Sequence, residues 1–503
     1  VTVRGQHAQG TGLAPSGKGL IRAHGQFLAI CGVAFILTRL YLLFVFEPHH
    51  SDISLYSQYA YEYLLASKQH ESFYTLHERV IDSEIQASRG NHLAAPTEEK
   101  KIIPYPPLAI QMLRIPSLFV ATEAAWDRQA YLRFAASYQS VFRTMLFLFD
   151  LLNFILIAAF LMRQASALSL PVKIAVGLGY VASVFFMPHT LYDRLDIVIG
   201  TLLLFSVVLL RLGKKWWSFV VFAGAVNYKI SPIVLVPLIA AASIAVQSAG
   251  KGPEQSSGRF PWKGWLQRTA ILCGCIAVLF APFAFFFGKE SLSAFQYQFE
   301  RGLHVESVLS AIALSLSAVF GISNSVGFGF GSFMLSSPLS RPFAAASGPL
   351  TLFAMAAVYA VLHRWYCAQI RVLPHLETGR REEAHGVMVR RLLVDAPLLC
   401  LSALIVVSKN FSPQYLFWLL PLIFLMDFKR KDAIAAAMLY LCACVLSSAI
   451  FPGVYFSDIV GRFTGLGKTL LVVRAAVLTA FTGVMLLSFL RDLRAADRPP
   501  LAR

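Results

Sequence analysis

Charged side chains are scarce in this chain. Asp, Glu, Lys and Arg make up 14% of its 503 residues, while 57% are hydrophobic. A soluble domain is about a quarter charged, so this balance excludes a soluble protein and calls for lipid around most of the fold. Acids are the scarcer sign, with 27 Asp and Glu against 44 Lys and Arg, for a net charge of +17. The basic residues are scattered over separate polar segments and form no stripe, which argues against nucleic acid as a partner. No His/Cys/Asp/Glu run has zinc-like spacing, so no metal site is expected. The seven cysteines include Cys273-x-Cys275 and Cys442-x-Cys444. Residues two apart on a helix face different ways, so both pairs read as packing residues. No internal repeat is visible, which weakens a secondary-transporter reading. The first apolar run lacks a small-residue cleavage site and reads as an uncleaved anchor.

What the chain has in abundance is apolar length. Twelve transmembrane helices are expected, at about 25–46, 140–162, 171–188, 196–211, 215–229, 231–247, 268–287, 346–366, 392–409, 412–427, 433–452 and 469–489. The class is therefore an all-α integral membrane protein. The stretches Asn227-Tyr228-Lys229 and Asn410-Phe411-Ser412 read as breaks or tilts between paired helices. Clusters such as Arg211/Lys214/Lys215 and Lys429/Arg430/Lys431 place both termini in the cytoplasm by the positive-inside rule and imply anionic membrane lipid as a partner. Residues 1–24 read as a disordered cytoplasmic tail and 490–503 as a basic one.

On that topology, 47–139 is a large first outer loop and 288–345 a second. Within the first, Ser54 to Ala66, Ala109 to Val120 and Ala130 to Ser137 suit helices lying at the membrane interface. The charged stretch 77–101 reads as a mobile excursion, and residues 321–337 as a Gly/Ser-rich loop. The run Val308 to Gly321 is too short for a confident span.

Several polar residues stand out in this setting. Asp52 follows the first span closely. It either caps the next helix or, raised in pKa by desolvation, serves as a general base. Tyr105-Pro106-Pro107 is a rigid extended turn that either presents Tyr105 to a site or returns the loop to the membrane. Asp193, Arg194 and Asp196 share one short outer turn with His189, as a local ion pair or as site residues. Lys229, Arg301, His304 and Lys409 sit at outer helix ends, where cations anchor to headgroups or meet a phosphate. Asp150 and Asp395 lie inside spans, and Asp150 is expected to pair with Arg143 or Arg474, with Arg39 nearby.

Taken together, these stretches resemble the GT-C glycosyltransferases, especially the bacterial glycosyltransferase 87 family. Asp52 with Tyr56 and Tyr105-Pro106-Pro107-Leu108 is similar to that family's first outer loop. Arg194-Leu195-Asp196 followed by Lys229-Ile230-Ser231-Pro232 is similar to its middle section. Arg301-Gly302 with Glu306-Ser307, and Ser412-Pro413-Gln414-Tyr415 with Trp418 and Pro421, resemble its later motifs. The resemblance implies a GT-C transmembrane domain over 25–489 in a bacterial inner membrane. It implies an inverting enzyme that takes a sugar from a polyprenyl-phosphate donor and gives it to a lipid-linked or glycan hydroxyl on the outer face. Mannose is the first expectation and arabinose the alternative. Asp52 would be the catalytic base. Arg301, Lys229, Lys409, His304 and Arg194 would bind the donor phosphate. Tyr56, Tyr105, Asp193, Asp196, Glu306, Gln414 and Tyr415 would orient substrate. The first loop lacks the Asp-x-Asp of metal-bound donors, so no cofactor is expected and a divalent metal is not indicated. A lipid-linked sugar flippase and a non-catalytic scaffold for envelope polysaccharide are the competing classes.

Overall fold

The structure, a computed structural model, describes residues 23–47, 52–87, 101–121, 128–163, 168–248 and 260–496. The N-terminal tail up to residue 22, residues 48–51, the later part of the 77–101 stretch and the last seven residues of the C-terminal tail lie outside the described residues.

Almost every described apolar run is helical. The helices are α1 (Ala23–Phe44), α2 (Ile53–Gln69), α3 (Phe73–Ala87), α4 (Pro107–Ser117), α5 (Arg128–Arg163) and α6 (Leu170–Phe185). They continue as α7 (Asp196–Arg211), α8 (Lys215–Tyr228), α9 (Val236–Ser248), α10 (Trp262–Phe287), α11 (Ser293–Glu300) and α12 (Val308–Phe320). After a β-hairpin come α13 (Ser340–Val372), α14 (Thr378–Arg390), α15 (Ala396–Val407), α16 (Leu416–Ile423), α17 (Lys431–Ser448) and α18 (Gly465–Ala496).

Seven of the helical segments, those containing α1, α5, α9, α10, α13, α17 and α18, are long and apolar enough to cross a membrane. Their outer faces carry bare hydrophobic side chains such as Phe285, Leu352 and Phe353, which only lipid solvates well. The protein is thus an α-helical membrane protein. The other five expected spans, α6, α7, α8, α15 and α16, are helices of 16, 16, 14, 12 and 8 residues.

Two of the short helices owe their ends to identifiable breaks. At Lys229 the backbone turns extended, and Pro232 restarts the chain as a 3-10 turn, Ser231–Leu235, that leads into α9. Pro413 does the same before α16, because proline fixes φ and has no N–H to continue a ladder. Both breaks match the expected interruptions. Gly200 lets α16 lie close against α7, since a Cβ there would collide with the carbonyl oxygen of Phe417.

Four expectations need correction. The stretch from residue 77 to 87 is not a loose excursion but most of α3, whose Phe73, Leu76, His77 and Ile81 are buried. Their spacing is one helical face. Ala130–Ser137 is no separate interfacial helix and simply extends α5. The stretch 490–496 belongs to α18. The Gly/Ser-rich loop forms two antiparallel strands, β1 (Ser325–Gly329) and β2 (Ser332–Ser336), with Gly329 opposite Ser332. Phe330 and Gly331 between them both have positive φ, as a tight two-residue hairpin turn requires.

Buried charges tie the bundle together, though not with the expected partners. Asp150 pairs with Arg39 at 2.9 Å, not with Arg143 or Arg474. Arg474 instead holds Glu306 at 2.7 Å, Arg143 lies 3.6 Å from Asp193, and Asp395 meets Arg391 and Arg430 at 3.3 and 3.2 Å. Of the cysteines, Cys273 and Cys442 are exposed, Cys275 is half-buried and Cys444 is buried. Neither Cys-x-Cys pair shares an environment.

Candidate active site

One large cavity of about 1190 Å³ opens among the helix-connecting segments. Its wall is made from parts far apart in sequence: Asp52 and Tyr56, Tyr105, Arg194 and Asp196, Lys229, Arg301 to Glu306, and Lys409 to Trp418. Twelve of the thirteen expected site residues line it. The exception is Asp193, which points into the protein and is fully buried.

Asp52 occupies the N-cap position of α2, yet its side chain makes no capping hydrogen bond. It forms an ion pair with Arg194, and 28% of its side chain stays exposed. A purely capping role therefore does not describe it. Arg194 pairs with Asp52, while its sequence neighbours Asp193 and Asp196 pair with Arg143 and Lys229. Burial pushes the Arg194 pKa down to about 10, so the guanidinium stays charged.

Asp196 opens α7 and is held from two sides. Lys229 Nζ donates to its Oδ1 at 2.6 Å, and Trp418 Nε1 donates to the same oxygen at 2.7 Å. The ammonium also lies 4.4 Å from the Tyr415 ring and 4.7 Å from the Trp418 ring, which stack at 4.3 Å. Lys229 is thus neutralised by a carboxylate and seated on two aromatic faces. Its charge is already spent within the wall, unlike that expected of a phosphate-binding lysine.

A backbone seam brings three later residues together. His304 N–H donates to the carbonyl of Lys409 at 3.0 Å, Val305 N–H to Phe333 O at 3.1 Å, and Leu335 N–H to Leu303 O at 2.9 Å. The segment 303–305 therefore lies along β2, and Arg301 Nε reaches Ser332 Oγ at 3.1 Å. Lys409 Nζ donates to the carbonyls of Phe299 and Arg301, at 3.0 and 2.6 Å. Among the described residues neither Arg301 nor Lys409 has a carboxylate partner. Burial, then the Arg301 charge, lowers the Lys409 pKa. Both are cations of the cavity wall with no carboxylate to offset them, and so, among the described residues, is the exposed Arg341.

His304 does not join them. Burial drives its pKa well below the usual histidine value, and Arg301, Arg474 and Arg194 push the same way. Its Nδ1 accepts from the N–H of Glu306 at 3.3 Å, as a neutral imidazole does. Glu306 itself is committed to Arg474, which also bonds its carbonyl at 3.1 Å. Gln414 bonds Ser412 Oγ. Tyr105 and Tyr56 share a hydroxyl–hydroxyl bond of 3.2 Å. Burial raises both their pKa values, so they offer neutral hydroxyls.

Asp193 carries a consequence for stability. Desolvation raises its pKa to about 7, and Arg143 only partly opposes this. The 3.6 Å contact to Arg143 is thus outweighed, since neither Asp193 oxygen has a hydrogen bond among the described residues. The folded protein holds this proton more tightly than the unfolded chain does. The resulting stability is full below the ordinary value of 3.8 and is lost as pH rises through about 7. Asp193→Asn is expected to melt with a flatter pH dependence than wild type between about pH 4 and 7. Parallel profiles of detergent-solubilised proteins would show that Asp193 is already ionised in the fold.

Sequence reasoning did not single out Trp418 and Asn410 as parts of this wall, although Trp418 belongs to the matched Ser412–Pro421 motif and Asn410 lies just before it. Among the described residues no group of three or more His, Cys, Asp or Glu side chains gathers as metal ligands. Compared with known proteins, the chain matches no family model, no curated protein and no solved structure.

Proposed function

We propose that this protein is an inverting membrane glycosyltransferase that takes a sugar from a polyprenyl-phosphate donor and places it on a lipid-linked or glycan hydroxyl. The reading keeps the GT-C resemblance of the ordered motifs, and mannose is the first sugar to test. One observation carries it: a partly exposed carboxylate, Asp52, shares a large cavity with two cations, Arg301 and Lys409, that have no carboxylate partner among the described residues.

In this mechanism the acceptor hydroxyl gives its proton to Asp52 as its oxygen attacks the anomeric carbon. The bond from that carbon to the phosphate oxygen breaks on the opposite face, and its electron pair leaves with the polyprenyl phosphate. The growing phosphate charge falls on Arg301 and Lys409, which stabilise it without rearranging. Arg grips phosphate through paired N–H groups, and Lys acts as a point charge. No general acid is needed, because the phosphate is a good leaving group.

The charges inside the bundle favour this reading over a flippase. Arg39, Asp150, Arg143, Asp395 and Arg474 are each engaged in an ion pair, so they form no open polar path. The test is transfer by purified protein in nanodiscs, with polyprenyl-phosphate-mannose or -arabinose as donor and a lipid extract as acceptor. A new glycolipid is expected. Arg301→Ala and Lys409→Ala are each expected to weaken donor binding by roughly 10- to 150-fold, the loss of one charge-assisted contact. Full-affinity donor binding in both variants would remove the phosphate site, and uptake of lipid-linked sugar without product would restore the flippase.

A further inference from the structure

The cavity contains a buried amide that the mechanism above leaves idle. Asn410 is only 6% exposed and lines the cavity next to Lys409. Its Nδ2 donates to Gln298 Oε1 at 3.0 Å, and its backbone N–H donates to Ser408 Oγ at 3.1 Å. Its Oδ1, however, is buried with no hydrogen-bond partner among the described residues. Most buried polar atoms in folded proteins are paired, so an orphan acceptor in a cavity wall calls for a ligand or an ordered water.

Gln298 supplies the complementary half. Its Oε1 is taken by Asn410, which leaves the two N–H groups of Nε2 without a partner among the described residues. Gln298 lines the same cavity. One acceptor and two donors side by side suit neighbouring hydroxyls, each of which both donates and accepts. The place is specific too. Gln298 immediately precedes Phe299, whose carbonyl holds Lys409 Nζ, and that ammonium also bonds the carbonyl of Arg301. The amide pair therefore adjoins these two cations.

We propose that Asn410 and Gln298 form a hydroxyl-reading subsite for the sugar whose phosphate sits at Arg301 and Lys409. The subsite distinguishes a glycosyl phosphate from a bare lipid phosphate. The proposal rests on the donor reading above and deepens it, since a phosphate site alone would not need these two amides. Neither residue belongs to the attacking base or to the cation pair.

The experiment compares binding of four probes to purified protein in nanodiscs: polyprenyl phosphate, its mannosyl and arabinosyl esters, and an alkyl phosphodiester of the same lipid. Wild type is expected to bind at least one ester about tenfold more tightly than the alkyl phosphodiester, which carries the same charge. Asn410→Ala is expected to erase that margin while leaving affinity for polyprenyl phosphate itself unchanged. Gln298→Leu, which breaks one surface-accessible amide and leaves the 408–412 segment intact, is expected to do the same if Asn410→Ala folds poorly. An ester margin that survives in Gln298→Leu and in any folded Asn410 variant overturns the subsite. So does a wild type that binds the esters no better than the alkyl phosphodiester, in which case a water satisfies Asn410 and the phosphate reading still stands. A wild type that binds none of the lipids overturns the donor reading itself, and the subsite with it.

Discussion

Replacing Asp52 by Asn is expected to lower sugar transfer by roughly 10²- to 10⁴-fold, the usual worth of a positioned general base, while leaving the fold and donor binding near wild type. The structure explains why the two effects separate. Asp52 sits at the N-cap of α2 but its side chain makes no capping hydrogen bond, so its loss as a carboxylate costs the helix only the modest dipole interaction. Asn is as good an N-cap residue and nearly the same size. Its side-chain oxygen can still accept from Arg194, which keeps that guanidinium in place. What Asn cannot do is take a proton from an attacking hydroxyl. Single-turnover transfer at saturating donor, with donor affinity measured in parallel, is the direct check. Unimpaired turnover in Asp52→Asn would assign the base elsewhere.

The largest effect on stability is expected at the other end of the polar inventory. Arg39→Leu is expected to cost about 3–5 kcal/mol, because it leaves a buried acid without its counter-charge. Arg39 and Asp150 are both fully buried, and their contact is 2.9 Å. Tyr180 and Tyr192 also donate to the Asp150 carboxylate, at 2.6 and 2.8 Å, and Arg39 adds a bond to Val181 O at 3.1 Å. Three helices and the turn after α6 thus meet at one carboxylate. Adding Asp150→Asn to Arg39→Leu removes the stranded charge, so the double variant is expected to melt above the single one. A single variant that melts with wild type in detergent would show that the pair contributes nothing.

The same pair shows what a sequence can and cannot convey about such a fold. Asp150 and Arg39 were both visible as charges within spans, but their partnership was not. An apolar run reports how deep a residue lies, while the direction it faces around the bundle is decided by packing between helices 111 positions apart. Glu306 and Arg474, 168 positions apart, were hidden for the same reason. Breaks, by contrast, were legible, because Pro232 and Pro413 impose them locally. So was the roster of the cavity wall, since polar residues at helix ends have few other places to go. The hairpin at 325–336 escaped notice because its glycines and serines suppress the alternation that marks a strand. The face of α3 was written in Phe73, Leu76, His77 and Ile81 and was obscured by the charges between them. Charge state escaped as well: His304 reads as a cation in a list of residues, and only the surrounding burial and arginines make it neutral.

The unopposed Arg301 and Lys409 have a consequence for turnover. A polyprenyl-phosphate sugar is a phosphodiester with a single negative charge, whereas the polyprenyl phosphate left behind is a monoester approaching about two. Two cations with no acid to temper them hold the more highly charged lipid better. The spent carrier should therefore linger after the sugar has gone, and its escape into the bilayer, not bond breaking, would set the pace of the cycle.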